Sequence, residues 1–89
     1  MEVKHNVDQM KFWTEVDGYE AHVAYQLHDK GLDIRHTIVP TEIGGRGIAS
    51  ALVKAAYDYA RANGLKPIAT CSYAVVWLQR HPAVSYTHL

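Results

Sequence analysis

The chain has 89 residues, enough for one domain spanning 1–89 and no second. At that size folding buries only about 60–65% of the surface the unfolded chain exposes, so one core and modest stability are expected. Nine basic and nine acidic residues cancel, which argues against nucleic acid as a partner and leaves any anion site to be built locally.

Cys71 is the only cysteine, so an internal disulfide and a cysteine zinc site are excluded. The two histidines of one strand face, His22 and His28, stand too far apart to chelate a metal without a third ligand, and no metal is expected. Met1–His5 lacks the apolar run of a signal peptide, and no stretch approaches the ~18 apolar residues of a membrane span. A lone reduced thiol and no membrane segment together give a cytoplasmic expectation.

The first half of the chain alternates with period two. Met10, Phe12, Thr14 and Val16 alternate with Lys11, Trp13 and Glu15, which predicts a strand. Asp17-Gly18 is a hairpin-turn dipeptide, since both residues tolerate positive φ. Tyr19, Ala21, Val23, Tyr25 and Leu27 then alternate with Glu20, His22, Ala24, Gln26 and His28 in a second strand. Asp29-Lys30-Gly31 forms the next turn. Leu32, Ile34, His36 and Ile38 alternate with Asp33, Arg35 and Thr37, and this parity places His36 on the apolar side. The simplest arrangement is a three-stranded antiparallel meander, which Val39-Pro40 ends because proline cannot donate to a ladder.

The second half has helical period. A glycine-dense turn, Thr41–Gly47, leads into a helix from about Gly47 to Ala62. Ile48, Leu52, Ala55 and Tyr59 form its expected core stripe, with Ser50, Lys54, Asp58 and Arg61 on the wet face. Asn63-Gly64 is a stop signal. Lys66–Cys71 reads as a short buried strand, parallel to an earlier one because strand–helix–strand crossovers are right-handed. Ser72 is placed to cap a second helix, Tyr73–Arg80, which is apolar on most sides and expected to be largely buried. His81-Pro82 ends it. Ala83–Leu89 carries no firm signal. The fold class is therefore α/β.

The chemistry sits in Val39–Leu52, where three glycines and Arg46 separate a strand from a helix. The first turn of a helix presents unpaired N–H groups and partial positive charge. Glycines let an anion approach that backbone closely, so the turn can cradle a phosphate without net positive charge. Arg46 can add a charge-assisted contact. A P-loop would require Lys-Ser/Thr after Gly47, where Ile48-Ala49 stands. A dinucleotide fingerprint would want Gly or Ala at Ser50 and an acidic residue about 20 residues on, where Pro67–Cys71 lie.

The turn is instead similar to the coenzyme A motif of the GNAT acetyltransferase superfamily, Arg/Gln-x-x-Gly-x-Gly/Ala. Gly47-x-Ala49 matches its second half, and Gly44 stands where Arg or Gln is usual. His36-Thr37-x-Val39-Pro40, Leu52-Val53, Ala60-Arg61, Cys71-Ser72-Tyr73 and Arg80-His81-Pro82 extend the resemblance over Leu32 to Pro82. The whole resembles the small, single-core GNAT-like N-acetyltransferases.

That resemblance implies a mixed, curved sheet with acetyl-CoA or coenzyme A in a splay between Arg35–Val39 and Lys66–Cys71. Gly44, Gly45, Arg46, Gly47, Ile48 and Ala49 are the expected pyrophosphate contacts, with Ser50 and Tyr73 as further cofactor-binding residues. Val39, or its neighbour Ile38, is the expected backbone donor to the thioester carbonyl. Cys71 is a candidate nucleophile or proton donor, its pKa lowered by the following helix start; its alternative is a small buried hydrophobe. His36 is the candidate general base. His81 either caps the second helix or lines the cofactor mouth. The implied reaction is acetyl transfer from acetyl-CoA to an amine on a small molecule or protein. A coenzyme A or acyl-CoA binding module without efficient transfer is the alternative. The helices and strands that enclose the acceptor in larger members have no counterpart in these 89 residues, so an open acceptor site, or one completed by a partner, is expected. The expected state is a monomer or weak dimer.

Overall fold

Asp17 and Gly18 carry φ of 53° and 82°, the left-handed pair that matches a hairpin turn to the twist of its strands. They join β2 (Lys11–Val16) to β3 (Tyr19–His28). A second left-handed pair, Asp29 and Lys30 at 51° and 59°, joins β3 to β4 (Gly31–Ile38). The turn is thus two residues, not three, and Gly31 already belongs to the strand. Its lack of a side chain has a packing cause. A Cβ there would collide with Ile68 Cδ1 and stand 3.0 Å from the Lys66 carbonyl oxygen. Gly31→Ala should therefore destabilise the chain by about 1–2 kcal/mol, read as a lower denaturant midpoint at unchanged slope.

The computed structural model describes residues 1–85; of the tail without firm sequence signal, residues 86–89 lie outside the described residues. Five strands form one sheet in the order β1-β2-β3-β4-β5. The first four pair antiparallel, and β5 (Lys66–Ala69) runs parallel to β4. The crossover is α1 (Ile48–Ala62), followed after β5 by α2 (Ser72–Arg80) and a short α3 (Pro82–Ser85). This is a mixed α/β fold.

β1 (Lys4–Asn6) has no counterpart among the expected elements. Three polar residues carry no strand signal, and tertiary contacts hold them. The His5 ring stacks on Phe12 with centroids 3.9 Å apart, and its Nε2 is hydrogen-bonded to the Tyr25 hydroxyl at 2.7 Å. Burial lowers the His5 pKa and favours its neutral form in this aromatic setting.

The core lies between one sheet face and α1. Phe12, Ala21, Val23, Tyr25, Leu32 and Ile34 meet Ile48, Leu52, Val53, Ala56, Tyr57 and Ala60. The buried stripe of α1 is therefore rotated from the expected one: Ala55 and Tyr59 are only half-buried. The rotation has a cause in α2, whose Trp77 packs on Tyr57 with ring centroids 5.7 Å apart. The helix buries a face between sheet and α2 rather than toward the sheet alone. The Tyr57 hydroxyl donates to the Ile68 carbonyl at 2.7 Å, tying α1 to β5, and burial raises its pKa well above the usual tyrosine value.

α2 is less buried than its composition predicts. Ala74 and Trp77 are buried, while Tyr73, Val75 and Val76 are exposed, because among the described residues one side of α2 meets the sheet and α1. Cys71, not Ser72, occupies the N-cap.

One irregularity in β4 decides where its side chains point. Tyr25 opposes Ile34, but Ala24 opposes His36, so Arg35 is an extra, bulged residue. Strand parity reverses across it. Ile34 faces the core, and so does Thr37, which pairs with buried Val23. His36 and Ile38 turn to the opposite, uncovered face and are exposed. Just before the bulge, Asp33 is fully buried and accepts from Thr70 Oγ1 and His28 Nε2, each at 2.9 Å. These bonds satisfy the buried carboxylate and fix the end of β5 to β4.

Candidate functional site

β4 and β5 pair from Gly31–Lys66 to Ile34–Ala69. The Thr70 and Cys71 amides still reach the Ile34 carbonyl, at 3.2 and 3.1 Å. Beyond that point β4 runs on to Ile38, whereas the other chain turns at Cys71 into α2. The two strands part, and a wedge opens between them. Thr37 and Cys71 face each other across it, with the Cys71 thiol donating to Thr37 Oγ1 at 3.5 Å.

The Cys71 thiol is half-buried, and burial alone would push its pKa up. The Thr37 hydroxyl, with the backbone N–H groups of Ala74, Tyr73 and Thr37, outweighs that effect and holds the pKa below the ordinary cysteine value. The Tyr73 and Ala74 amides lie toward the sulfur without closing a cap hydrogen bond, so Thr37 is the specific partner. Thr37→Val should move the pH profile of Cys71 alkylation to higher pH, since the hydroxyl favours the thiolate. Thr37→Ser should restore the profile. A profile unmoved by Thr37→Val would show that helix amides alone set the thiol.

At the mouth of the wedge the chain leaves β4 through Val39-Pro40 and a 3-10 turn, Thr41–Ile43. Gly44 is extended at φ −69°, and its amide is occupied by the Thr41 carbonyl at 3.1 Å. Gly45 and Gly47 are left-handed, at 74° and 75°. Gly47 is the N-cap of α1, so no side chain competes for the helix's first amides, and the first turn holds no acidic residue. Among the described residues no hydrogen bond occupies the N–H groups of residues 45–50. A run of free amides at a helix N-terminus is an anion site. These residues open onto a groove of about 360 Å³ lined by Val39, Thr41, Ile43, Gly44, Gly45, Gly47, Ile48, Ala49, Ser50 and Tyr73.

A family model described as GCN5-related N-acetyl-transferase matches residues 11–89. The chain belongs to the GCN5-related N-acetyltransferase family. Protein NATD1 of Xenopus tropicalis is 33% identical over 87 residues, covering 94% of this chain and 80% of that protein. Protein NATD1 of Homo sapiens is also 33% identical, with 94% and 77% covered. A GCN5-like protein from Staphylococcus aureus, solved by NMR, is 33% identical with a TM-score of 0.74, covering 99% of this chain and 87% of that one.

Within this acetyltransferase fold the expected site residues fall into two groups. Val39, Gly44, Gly45, Gly47, Ile48, Ala49, Ser50 and Tyr73 converge on the groove, and Cys71 stands in the wedge. Arg46, Ile38 and His36 do not converge. The Arg46 guanidinium is paired with Asp17 of the β2–β3 turn at 2.7 Å, an exposed ion pair, and does not line the groove. Ile38 sits on the uncovered face opposite His22. Thr37 directs its amide toward Cys71, so strand alternation turns the Ile38 amide back to β3 and the Val39 amide into the wedge. Of the two, Val39 and not Ile38 turns its amide into the wedge. His36 is carried off the core side by the Arg35 bulge, which excludes contact with Cys71 in this arrangement.

His81 takes the helix-capping position of its two expected descriptions. Its Nδ1 is hydrogen-bonded to the Trp77 carbonyl at 2.7 Å at the end of α2, and its ring lines a second cleft. Ser50, expected on the wet face, accepts from Trp77 Nε1 at 2.9 Å. Thr37, Thr41 and Ile43 escaped the sequence reading. A threonine in a polar parity position gives no sign of a bulge two residues earlier. Among the described residues no group of His, Cys, Asp and Glu side chains could hold a metal, and no helix is long and apolar enough to cross a membrane.

Proposed function

We propose that this domain transfers the acetyl group of acetyl-CoA to an amine. The observation that carries the reading is the joining of two features: strands that part after Ile34–Ala69, and a turn of free amides at the mouth of the gap. A narrow wedge beside an anion cradle suits a ligand with a thin thioester arm and a pyrophosphate. Residues 45–50 would hold the pyrophosphate, in backbone contacts that need no side chain at Gly44.

Cys71 acts as the nucleophile in this reading. Its sulfur attacks the thioester carbonyl carbon, the carbon–sulfur bond to coenzyme A breaks, and coenzyme A departs as the thiolate. One thiolate replaces another, so no base is consumed. The Val39 amide faces the developing oxyanion. The acceptor amine then attacks acetyl-Cys71, and its proton ends on the Cys71 sulfur as that bond breaks. A lowered thiol pKa favours this role over proton donation to the leaving group. The acceptor approaches from the sheet face that α1 leaves uncovered, where His36, His22 and Ile38 are presented.

The test is release of coenzyme A thiol on incubation with acetyl-CoA and a panel of polyamines, amino sugars and lysine peptides. Amine-dependent release with at least one class is expected. Cofactor binding with no release across the panel would make the domain a coenzyme A-binding module.

A further inference from the structure

Among the described residues Asp33 of β4 is the one charged side chain that is fully buried, and the chemistry proposed above makes no use of it. A buried carboxylate is costly unless its oxygens are bonded, and an apolar residue would fill the same place at lower cost. Its two oxygens have different partners. Oδ2 accepts from His28 Nε2 at 2.9 Å, with Arg35 Nε 4.0 Å away. Oδ1 accepts from Thr70 Oγ1, also at 2.9 Å. The other nitrogen of His28 is held by Asp29 at 2.9 Å. The carboxylate is thus braced from the β3–β4 turn and holds the residue that precedes Cys71.

Thr70 is exposed, so packing does not call for a threonine there. It stands where β5 leaves the ladder. Regular pairing ends at Ile34–Ala69, and the Thr70 and Cys71 amides share the Ile34 carbonyl at 3.2 and 3.1 Å. Two amides on one carbonyl do not fix the direction in which the chain turns. The bond from Thr70 to Asp33 adds the missing point of attachment, on a buried partner. The Cys71 thiol then reaches Thr37 Oγ1 across the wedge at 3.5 Å. The other titratable group beside the sulfur is Tyr57 of α1, which interacts electrostatically with Asp33 and Cys71 and is kept protonated by burial.

We propose that Asp33, braced by His28 and acting through Thr70, is a positioning residue for Cys71: it sets the turn that places the sulfur against Thr37. The assignment rests on the Cys71 reading above for its catalytic meaning, but the reactivity of the thiol is measured with no acetyl-CoA present.

The experiment is the pH profile of Cys71 alkylation by iodoacetamide in the intact chain and in Thr70→Val, which keeps the side-chain shape and removes the hydroxyl. The profile should move up by about half a pH unit, read as about threefold slower alkylation near neutral pH, and Thr70→Ser should restore it. In a Thr37→Val background, Thr70→Val should add no further shift, because both act on one contact. Gly31→Ala disturbs the opposite end of the β4–β5 pairing and should leave the profile in place. His28→Ala, an exposed change that loosens the anchor of Thr70, should move the profile the same way by less. An unmoved profile in Thr70→Val, fully additive shifts in the double variant, or an equal shift in Gly31→Ala would overturn the assignment. If Thr70→Val fails to fold, an unmoved profile in His28→Ala overturns it. The expected shifts in a chain that transfers no acetyl group would overturn the transfer reading alone.

Discussion

Replacing Cys71 with alanine should lower kcat for acetyl transfer by at least about 100-fold and leave acetyl-CoA affinity within about twofold. The split follows from position. The sulfur sits in the wedge opposite Thr37 and touches none of the groove at residues 44–50. Losing it removes the nucleophile without touching the pyrophosphate contacts. Cys71 is half-buried at a helix N-cap and packs at the margin of the core, so the truncation creates no large cavity. Cys71→Ser should be as inactive, because a hydroxyl does not ionise near neutral pH. Mass spectrometry of the wild-type chain after acetyl-CoA alone should find one acetyl group on Cys71. Turnover by Cys71→Ala at half the wild-type rate or better would instead mean direct attack by the amine.

The second large effect lies at Gly47. Its φ of 75° is the left-handed region, and open space surrounds the point where a Cβ would stand. That space belongs to the groove. Gly47→Val should weaken acetyl-CoA binding by about tenfold or more, because a β-branched residue disfavours this conformation by about 1–2 kcal/mol and screens the first amides of α1. Gly64, with φ of 69° and equally open surroundings, closes the other end of the same helix. Gly64→Val imposes similar strain far from the groove. It should cost comparable stability in denaturant unfolding and leave affinity unchanged. Equal loss of affinity in both variants would assign the Gly47 effect to strain rather than to the amides.

Local chemistry made much of this fold legible. Asp17-Gly18 and the alternation around it specify a hairpin because positive φ and period two leave few other solutions. The glycine turn, the start of α1 and the Asn63-Gly64 stop are likewise written in conformational preference. What escaped depends on contacts between distant residues. β1 exists because His5 finds Phe12 and Tyr25. The α1 stripe is rotated because Trp77 of α2 shares the burial of Tyr57.

The bulge at Arg35 had the largest consequence for the site. Parity along Leu32–Ile38 reads as unbroken alternation, and one inserted residue exchanges His36 for Thr37 on the core side. No residue type in that stretch announces it. Arg46 shows the same limit in electrostatic form. A basic residue in a glycine turn invites an anion, but a carboxylate 29 positions away already holds it. The candidate anion cradle does not depend on that guanidinium, because its amides are backbone groups set by Gly45 and Gly47.

The most direct measurement is calorimetric titration of the purified chain with acetyl-CoA, with NAD as the comparison ligand. Saturable one-to-one binding of acetyl-CoA and none of NAD is the expected result. Absence of binding at millimolar acetyl-CoA would contradict it: the free amides of residues 45–50 would then hold no pyrophosphate, and the wedge between β4 and Cys71 no thioester.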